Sequence, residues 1–274
     1  MQENLFDIKT GILPDAAVNN SSFYQIIAFN GTGRFMVDFA EYSFSGNTIL
    51  FLTPHQDFQW INSFGFTFDL LQFHGDFYCI EYHKKEVACN GLLFNNIYLQ
   101  PHINVTANDF AEIKLLFKKL ADEKNADDVY SLAVARAYLQ LILALCSKEK
   151  INQVKTEMPD DQDHNEITVF QNLLEANFLR QRSPSFYAAA MSLSLSAFSK
   201  KIKKQFRKTP SEIIQERIIL EAKKLLHLTY KSVKEIAAEL NFEDEFYFSR
   251  YFKKNTGLSP LHYRESVGIS IAAK

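Results

Sequence analysis

The last third of this 274-residue chain contains a near-repeat that constrains the fold more than any other feature. Residues 198–210 read FSKKIKKQFRKTP, and residues 248–260 read FSRYFKKNTGLSP, 50 positions further on. Short apolar segments precede the two runs, at 188–191 and 237–240, but these lie 49 positions apart. The second copy therefore holds one extra turn residue. A duplicated helix–turn–helix unit is the simplest explanation.

Apolar spacing predicts one buried face on each helix of these units. The apolar residues of 233–240 recur at i, i+3, i+4 and i+7, which is typical of a helix with one buried face. Asn241 tolerates the left-handed backbone that the following turn needs, and Glu243 or Asp244 can cap the next helix. The expected inward-facing residues after the turns are Phe198, Ile202 and Phe206 in the first copy and Phe248, Tyr251 and Phe252 in the second.

Between the copies, the sequence predicts a helix from Pro210 to about His227. Thr209 can cap this helix, Pro210 suits its first position, and Glu212 lies in its first turn. A rigid helix between two such units fixes their separation. Two major-groove faces on one side of B-DNA lie roughly 34 Å apart, and the arrangement predicts a protein that reaches both.

Residues 165–266 resemble the DNA-binding domain of the AraC/XylS family of transcription regulators. Two departures from the family pattern concern the backbone: Asn241 occupies a turn position where the family usually has Gly, and Arg207 replaces the Gly that matches Gly257. The segments that carry the resemblance are 217–226, 236–242, 247–254, 257–260 and Tyr263-Arg264.

The resemblance implies which side chains contact DNA. Arg250 would pair bidentately with guanine, and Glu245 would accept from cytosine N4. The alternative for Arg250 is a surface ion pair with Glu245 or Glu243, one to two turns upstream. The residues expected to face the first groove are Ser196, Ser199 and Lys200, those expected to face the second are Glu245, Ser249 and Arg250, and those expected to touch phosphate are Lys203, Lys204, Lys253 and Lys254.

Charge is distributed unevenly along the chain. Residues 165–266 hold 17 Lys and Arg against 11 Asp and Glu, whereas residues 1–164 hold 12 against 21. A basic C-terminal domain beside an acidic domain suits a protein with one polyanion-binding end. Lys148 and Lys150 lie outside the basic region and are interpreted as ordinary surface charge.

Many short strand candidates at close spacing predict a small β-barrel or jelly roll in the N-terminal part. Residues 46–54 resemble the segment by which a cupin-type domain enters its second half, and the AraC/XylS resemblance also implies such a domain. The predicted fold class is therefore α+β, with a cupin-like β-barrel, helices, and then an all-α domain with two helix–turn–helix units. Residues 1–20 show few periodic features and are expected to be an entry segment. Residues 30–33, Asn-Gly-Thr-Gly, are expected to stop the first strand. The strand candidates are 23–29, 35–39, 48–53, 57–61, 65–73 and 78–82.

The sequence contains no residue spacing that is typical of a metal site or a redox site. A metal site in a cupin needs several His and a carboxylate on one side of the barrel, and no His-x-His pair occurs. We expect turn or surface histidines, no metal and no cofactor. The histidines considered are His55, His74, His83 and His102; Cys79, Cys89 and Cys146 are scattered and expected to be reduced and partly buried.

Two helices are expected after the barrel, from 107 to about 120 and from 127 to about 146. The second helix carries a long apolar stripe, which is expected to pack on the barrel, to form the dimer interface that the family resemblance suggests, or to do both. The stripe comprises Leu132, Ala135, Leu139, Ile142 and Leu145. The predicted domains are 1–105, a cupin-like sensor; 106–148, a helical dimerisation segment; 149–164, a linker; and 165–266, the tandem helix–turn–helix domain.

The leading hypothesis is a cytoplasmic, sequence-specific transcription regulator that is not an enzyme. The N-terminus shows no signal-peptide pattern, and no apolar run approaches the roughly 20 residues that span a bilayer. The expected partners are double-stranded DNA, a second copy of the chain, a small-molecule effector and RNA polymerase, with no membrane. The alternatives are a cupin-type metal enzyme and a regulator controlled by a partner protein instead of a small molecule.

Overall fold

The computed structural model describes residues 5–12, 21–38, 40–61, 65–78, 92–94, 96–124, 129–157 and 162–269. The chain forms two compact units. The first comprises Met1–Asn96 and Gln100–Gln153, and the second comprises Ile97–Leu99 and Val154–Ile271. The expected strand at 78–82 falls almost entirely outside the described residues.

The first unit is built on an antiparallel sheet, and the α+β fold class is confirmed. The strand order is β1-β5-β2-β3-β6, with β4 also pairing with β2. Among the described strands this path ends at β1 and β6, so the sheet is open where a closed barrel was expected; a cupin-like jelly roll is compatible with this topology. The strands are β1 Phe6–Ile12, β2 Tyr24–Val37, β3 Ala40–Leu52, β4 Phe58–Ile61, β5 Thr67–Phe73 and β6 His102–Asn104.

Strand β2 does not stop at residues 30–33, so that prediction was wrong. Its pairing with β3 runs without interruption from Gln25–Leu52 to Val37–Ala40. Gly31 lies opposite Gly46, and a Cβ on Gly31 would stand 2.6 Å from the Phe66 ring. The glycine therefore allows close side-chain approach within a strand instead of making a turn. Strand β1 was also missed, although its first four residues, Phe6 to Lys9, alternate between apolar and polar side chains.

The sheet separates two apolar clusters. Successive β2 residues point to opposite sides. Ile26 and Ala28 join the cluster that includes the helices α1, Ala107–Lys124, and α2, Ser131–Glu157. Ile27 and Phe29 join an aromatic cluster on the other side. In the predicted stripe, Ala135, Leu139 and Ile142 are fully buried in the first cluster, Leu145 packs against it, and Leu132 is 44% exposed. Four of the five stripe residues thus join or pack against the apolar cluster that α1 and α2 share with the sheet.

Helix α2 continues to Glu157, about three turns beyond its predicted end near Cys146. Residues 149–157 are therefore helical where a linker was expected. Lys150 is buried and donates to the carbonyls of Gln100 at 2.7 Å and His102 at 2.9 Å. These bonds tie the helix to the first residue of β6 and to the segment before it. The interpretation of Lys150 as surface charge was wrong.

Helix α2 is also long and apolar enough, between Ser131 and Thr156, to pass a length-and-composition test for a membrane span. It is the one such helix among the described residues. A core helix of a globular domain passes the same test. The side chains of Ala135, Leu139 and Ile142 belong to the apolar cluster of the sheet, which accounts for the composition.

The second unit is helical. One cluster of buried side chains is shared by its helices. The central helix, α6, supplies much of this cluster, including Ile213, Ile218 and Leu225. The helices are α3 Gln162–Asn177, α4 Pro184–Ala190, α5 Leu195–Phe206, α6 Pro210–Leu228, α7 Val233–Glu239, α8 Glu245–Thr256 and α9 Pro260–Val267. The predicted capping of α6 is confirmed, with the Thr209 side chain and Glu212 forming a reciprocal capping box.

Candidate nucleic-acid interface

The two helix–turn–helix units share one turn geometry. Two residues after the end of α4 and of α7 lies a left-handed residue, Ser192 at φ 56° and Asn241 at φ 58°. Each turn is closed by the paired bonds of a Schellman motif. The matched bonds are Ser192 N–H to Ala189 and Leu193 N–H to Ala188, both 2.9 Å, and Asn241 N–H to Ala238 at 3.0 Å and Phe242 N–H to Ala237 at 2.9 Å.

The extra residue of the second copy is Glu243. The turns match at an offset of 49, whereas the caps of the next helices, Ser194 and Asp244, match at 50. Asp244 accepts the Tyr247 N–H at 2.6 Å, which selects Asp244 from the two predicted caps. The insertion thus falls between turn and helix, and it leaves α5 and α8 with equivalent starts.

Helices α5 and α8 bury equivalent positions. Every fourth residue is buried in each helix, and the exposure classes of residues 196–207 repeat at 246–257. Tyr251 is an exception to the prediction: it is half-buried beside Phe242, and burial raises its pKa to about 12. The buried residues are Phe198, Ile202 and Phe206 in α5 and Phe248, Phe252 and Thr256 in α8.

The structure places the predicted DNA-contacting residues away from these buried positions. In each helix they follow the outer surface over about two turns. The exposed residues are Ser196, Lys200, Lys203, Lys204, Arg250, Lys253 and Lys254, and the half-buried ones are Ser199, Glu245 and Ser249.

Basic side chains in this unit divide into two groups. In one group the charge is used within the domain: Lys208 pairs with Glu216 at 2.7 Å, and Arg217 pairs with Glu175 at 2.9 Å. The basic side chains of the other group form no ion pair and no side-chain hydrogen bond with any residue of 162–269. The ion pair of Arg250 with Glu245 or Glu243, which was the alternative prediction, is therefore not observed within these residues. That second group includes Lys200, Lys203, Lys204, Arg250, Lys253 and Lys254.

Arg182 supports the second turn, and sequence reasoning missed it. Its guanidinium lies 3.9 Å from the ring centre of Phe242. One of its nitrogens donates to the carbonyl oxygens of Leu240 at 2.7 Å and Asn241 at 3.1 Å. Burial lowers the pKa of Arg182 from its usual value. Since its acceptors lie 58 and 59 residues away in sequence, no local pattern marks this arginine.

Helices α5 and α8 also have C-terminal caps of the same geometry, although the capping residue is Arg207 in one and Gly257 in the other. Arg207 has φ 57° and ψ 13°, and Gly257 has φ 77° and ψ −17°. Their N–H groups donate to the carbonyls of Lys203 and Lys253, at 3.0 and 2.9 Å. A non-glycine residue adopts this left-handed conformation at a cost of about 1–2 kcal/mol. The duplicated geometry is thus kept despite the substitution.

The histidines and cysteines of the first unit have structural surroundings. His55 lies in a turn with φ 53°. The Nδ1 atom of His74 lies 3.2 Å from the Oδ2 atom of Asp76. His102 was expected in a turn or on the surface; instead it is buried, with its ring 5.3 Å from that of Phe35. Among the described residues, no group of three or more His, Cys, Asp or Glu is placed to hold a metal. Cys146 is fully buried, and burial raises its pKa; His83, Cys79 and Cys89 lie outside the described residues.

Trp60 is the single tryptophan of the chain and lies in the aromatic cluster of the first unit. Its ring centre is 4.9 Å from Phe58 and 5.0 Å from Phe29, both edge-to-face. Its Nε1 atom is buried, and among the described residues it has no hydrogen-bond partner. Buried donors are nearly always paired, so this one requires an explanation.

Comparisons with known proteins agree with this architecture. A helix-turn-helix domain family matches residues 187–266. The HTH-type transcriptional activator RhaS of Enterobacter sp. (strain 638) is 22% identical over 273 residues, covering 94% of this chain and 92% of the relative. RhaS of Shigella dysenteriae serotype 1 (strain Sd197) is 21% identical over 262 residues, covering 92% and 88%.

Two solved structures are also similar. ToxT from Vibrio cholerae O395 covers 97% of this chain and 99% of its own at 14% identity, with a TM-score of 0.42. The C-terminal domain of the two-component response regulator yesN from Fusobacterium nucleatum is 31% identical; it covers 36% of this chain and 98% of that domain, with a TM-score of 0.35.

A duplicated helix–turn–helix domain with a row of unpaired cations on each second helix defines a DNA-binding protein. The domain match and the relatives, which align over most of their length, support an AraC/XylS family transcription regulator. The chain is a sequence-specific DNA-binding transcription regulator.

Proposed function

We propose that α5 and α8 each enter a major groove of one duplex, and that both helices contribute to base recognition. The observation that carries this proposal is the repetition of unpaired cations at matched positions: Lys200 with Arg250, and Lys203 with Lys253. Charges that serve only the fold are paired in this unit, as Lys208 is. Cations left exposed at equivalent helix positions match a phosphate-lined groove.

Roles within each helix follow from side-chain chemistry. Arg250 supplies a planar pair of donors that matches guanine O6 and N7, and Glu245 accepts from cytosine N4. Ser196, Ser199 and Ser249 are short enough for the edge of either base type. A lysine ammonium lacks the rigid pair of donors that a guanidinium offers and acts as a point charge. We therefore assign phosphate contacts to Lys203, Lys204, Lys253 and Lys254.

A randomised-operator selection tests this assignment. Full-length protein and the Arg250→Ala variant are each used to enrich binding sites from one duplex library. We expect Arg250→Ala to cost about 1–3 kcal/mol in binding and to relax preference at one guanine position. Lys224→Ala, whose lysine pairs with Glu221 within α6, is the matched control and should enrich the wild-type motif. An unaltered motif with Arg250→Ala would contradict the assignment.

We further propose that the first unit binds a small effector in its aromatic cluster. The buried Nε1 of Trp60, which lacks a partner among the described residues, supports this, because a ligand acceptor would satisfy the donor. The effector would carry an apolar body and a hydrogen-bond acceptor. A regulator controlled by a partner protein remains the alternative, and an effector screen on purified protein distinguishes the two.

Several finer properties extend the family assignment. We propose a cytoplasmic homodimer that acts as an activator through contact with RNA polymerase, rather than an enzyme. The RhaS relatives are transcriptional activators, which supports activation rather than repression by this chain. Leu141 and Ile151 are exposed on the side of α2 opposite its buried residues, which supports self-association of this helix. Sedimentation velocity of the full chain tests the dimer, and in vitro transcription from a selected operator tests activation.

A further inference from the structure

Helix α8 carries one large apolar side chain on its outer surface. Phe246 is 68% exposed, although it belongs to the first turn of a helix whose other phenylalanines, Phe248 and Phe252, are fully buried. Over the described part of the chain, Phe246 makes no ring contact. The equivalent residue of α5, 50 positions earlier, is Ser196. The two copies therefore differ in chemistry at one outward position.

Helical spacing places Phe246 with the proposed DNA-contacting residues. Phe246, Arg250 and Lys253 follow i, i+4 and i+7, so they occupy successive turns of one face. The neighbouring Tyr247 differs, because its ring packs 5.6 Å from Phe242. Isolated exposed apolar residues are common on protein surfaces. An exposed ring in line with Arg250, at the N-terminal end of the helix that enters the groove, is positioned for contact with bases.

We infer that Phe246 reads the 5-methyl group of a thymine next to the guanine read by Arg250. This inference rests on the proposed function. Thymine is the base that presents a methyl group in the major groove, and phenylalanine contacts that group well. One helical turn rises 5.4 Å and one base step about 3.4 Å, so residues one turn apart reach positions one or two base pairs apart. The first copy, with Ser196, lacks this preference.

Thymine replacement tests the inference without changing base pairing. The operator enriched by the wild-type chain is synthesised with each thymine in turn replaced by deoxyuridine, which lacks only the methyl. We expect one thymine beside the Arg250 guanine to lose about fourfold in affinity on replacement, the value of one buried methyl. Phe246→Ala should bind the thymine and deoxyuridine duplexes equally, and Phe246→Leu should keep part of the preference.

One further variant and the combined results of Arg250→Ala and Phe246→Ala separate failure of this inference from failure of the proposed function. Ser196→Phe should create a new thymine preference in the first half-site. If Arg250→Ala relaxes a guanine but Phe246→Ala still discriminates thymine from deoxyuridine fourfold, only the inference is overturned. If neither variant changes the enriched motif, the proposed function fails as well. Loss of activated transcription by Phe246→Ala, with its thymine preference kept, would also overturn the inference and make Phe246 a polymerase contact.

Discussion

The guanidinium of Arg182 stacks 3.9 Å from the ring centre of Phe242 while it donates to the carbonyls of the second turn. One side chain thus satisfies carbonyls at a helix end that would otherwise lack partners. The same contact fixes the residue that follows the left-handed Asn241. The angle between α7 and α8 depends on this turn, so an arginine outside the repeated motif controls how the second unit presents its DNA-binding face.

Replacing Arg182 should therefore loosen the second unit. We expect Arg182→Ala to lower the free energy of unfolding by about 2–3 kcal/mol, from the lost cation–π contact and two charge-assisted bonds. Arg182→Lys should lose most of the same stability, because an ammonium group cannot stack on the Phe242 ring and also donate to both carbonyls. Chemical denaturation of the full chain measures the effect. Arg180→Ala, which removes an exposed arginine two residues earlier, is the control, and an equal loss there would contradict the explanation.

Arg207 offers a test of backbone cost at a single residue. Because Arg207 is held at φ 57° where the second copy has Gly257, Arg207→Gly should stabilise the chain by about 0.5–1 kcal/mol. Arg207→Ala removes the same charge but keeps the unfavourable conformation, so it should give no gain. Gly257→Arg should destabilise by a similar amount. Equal stabilisation by Arg207→Ala and Arg207→Gly in denaturant titrations would show that charge, not conformation, is responsible.

Local periodicity explains which features could be predicted. The repeated Phe and Ile positions of α5 and α8 encode the buried faces, and Thr209 and Glu212 encode a helix start, since these interactions span at most a few turns. Arg182 and Lys150 could not be assigned, because their acceptors lie 48 to 59 residues away. The three-residue strand β6 is too short to show alternation. Closure of the sheet, likewise, depends on pairings between distant strands.

Salt dependence tests the role of the lysines independently of sequence preference. Lys253→Ala should weaken binding to all duplexes alike and lower the slope of log affinity against log salt by about 0.9, the contribution of one phosphate contact. Lys203→Ala, its equivalent in α5, should behave in the same way. The measurement is fluorescence anisotropy with operator and scrambled duplexes over a salt series. Lys224→Ala should leave the slope unchanged, and a loss confined to the operator would exclude the phosphate role of Lys253.

The single tryptophan provides a direct test of effector binding to the first unit. If an acceptor group of the effector satisfies Trp60 Nε1, the tryptophan emission should change on titration with the correct compound, and the same compound should raise the melting temperature. Sugars, carboxylic acids and other small metabolites are the classes to screen by both readouts. Trp60→Phe keeps an aromatic ring but removes the donor, so it should lose about 1–3 kcal/mol of binding by thermal shift. Undiminished thermal stabilisation of Trp60→Phe by the same compound would place the effector elsewhere.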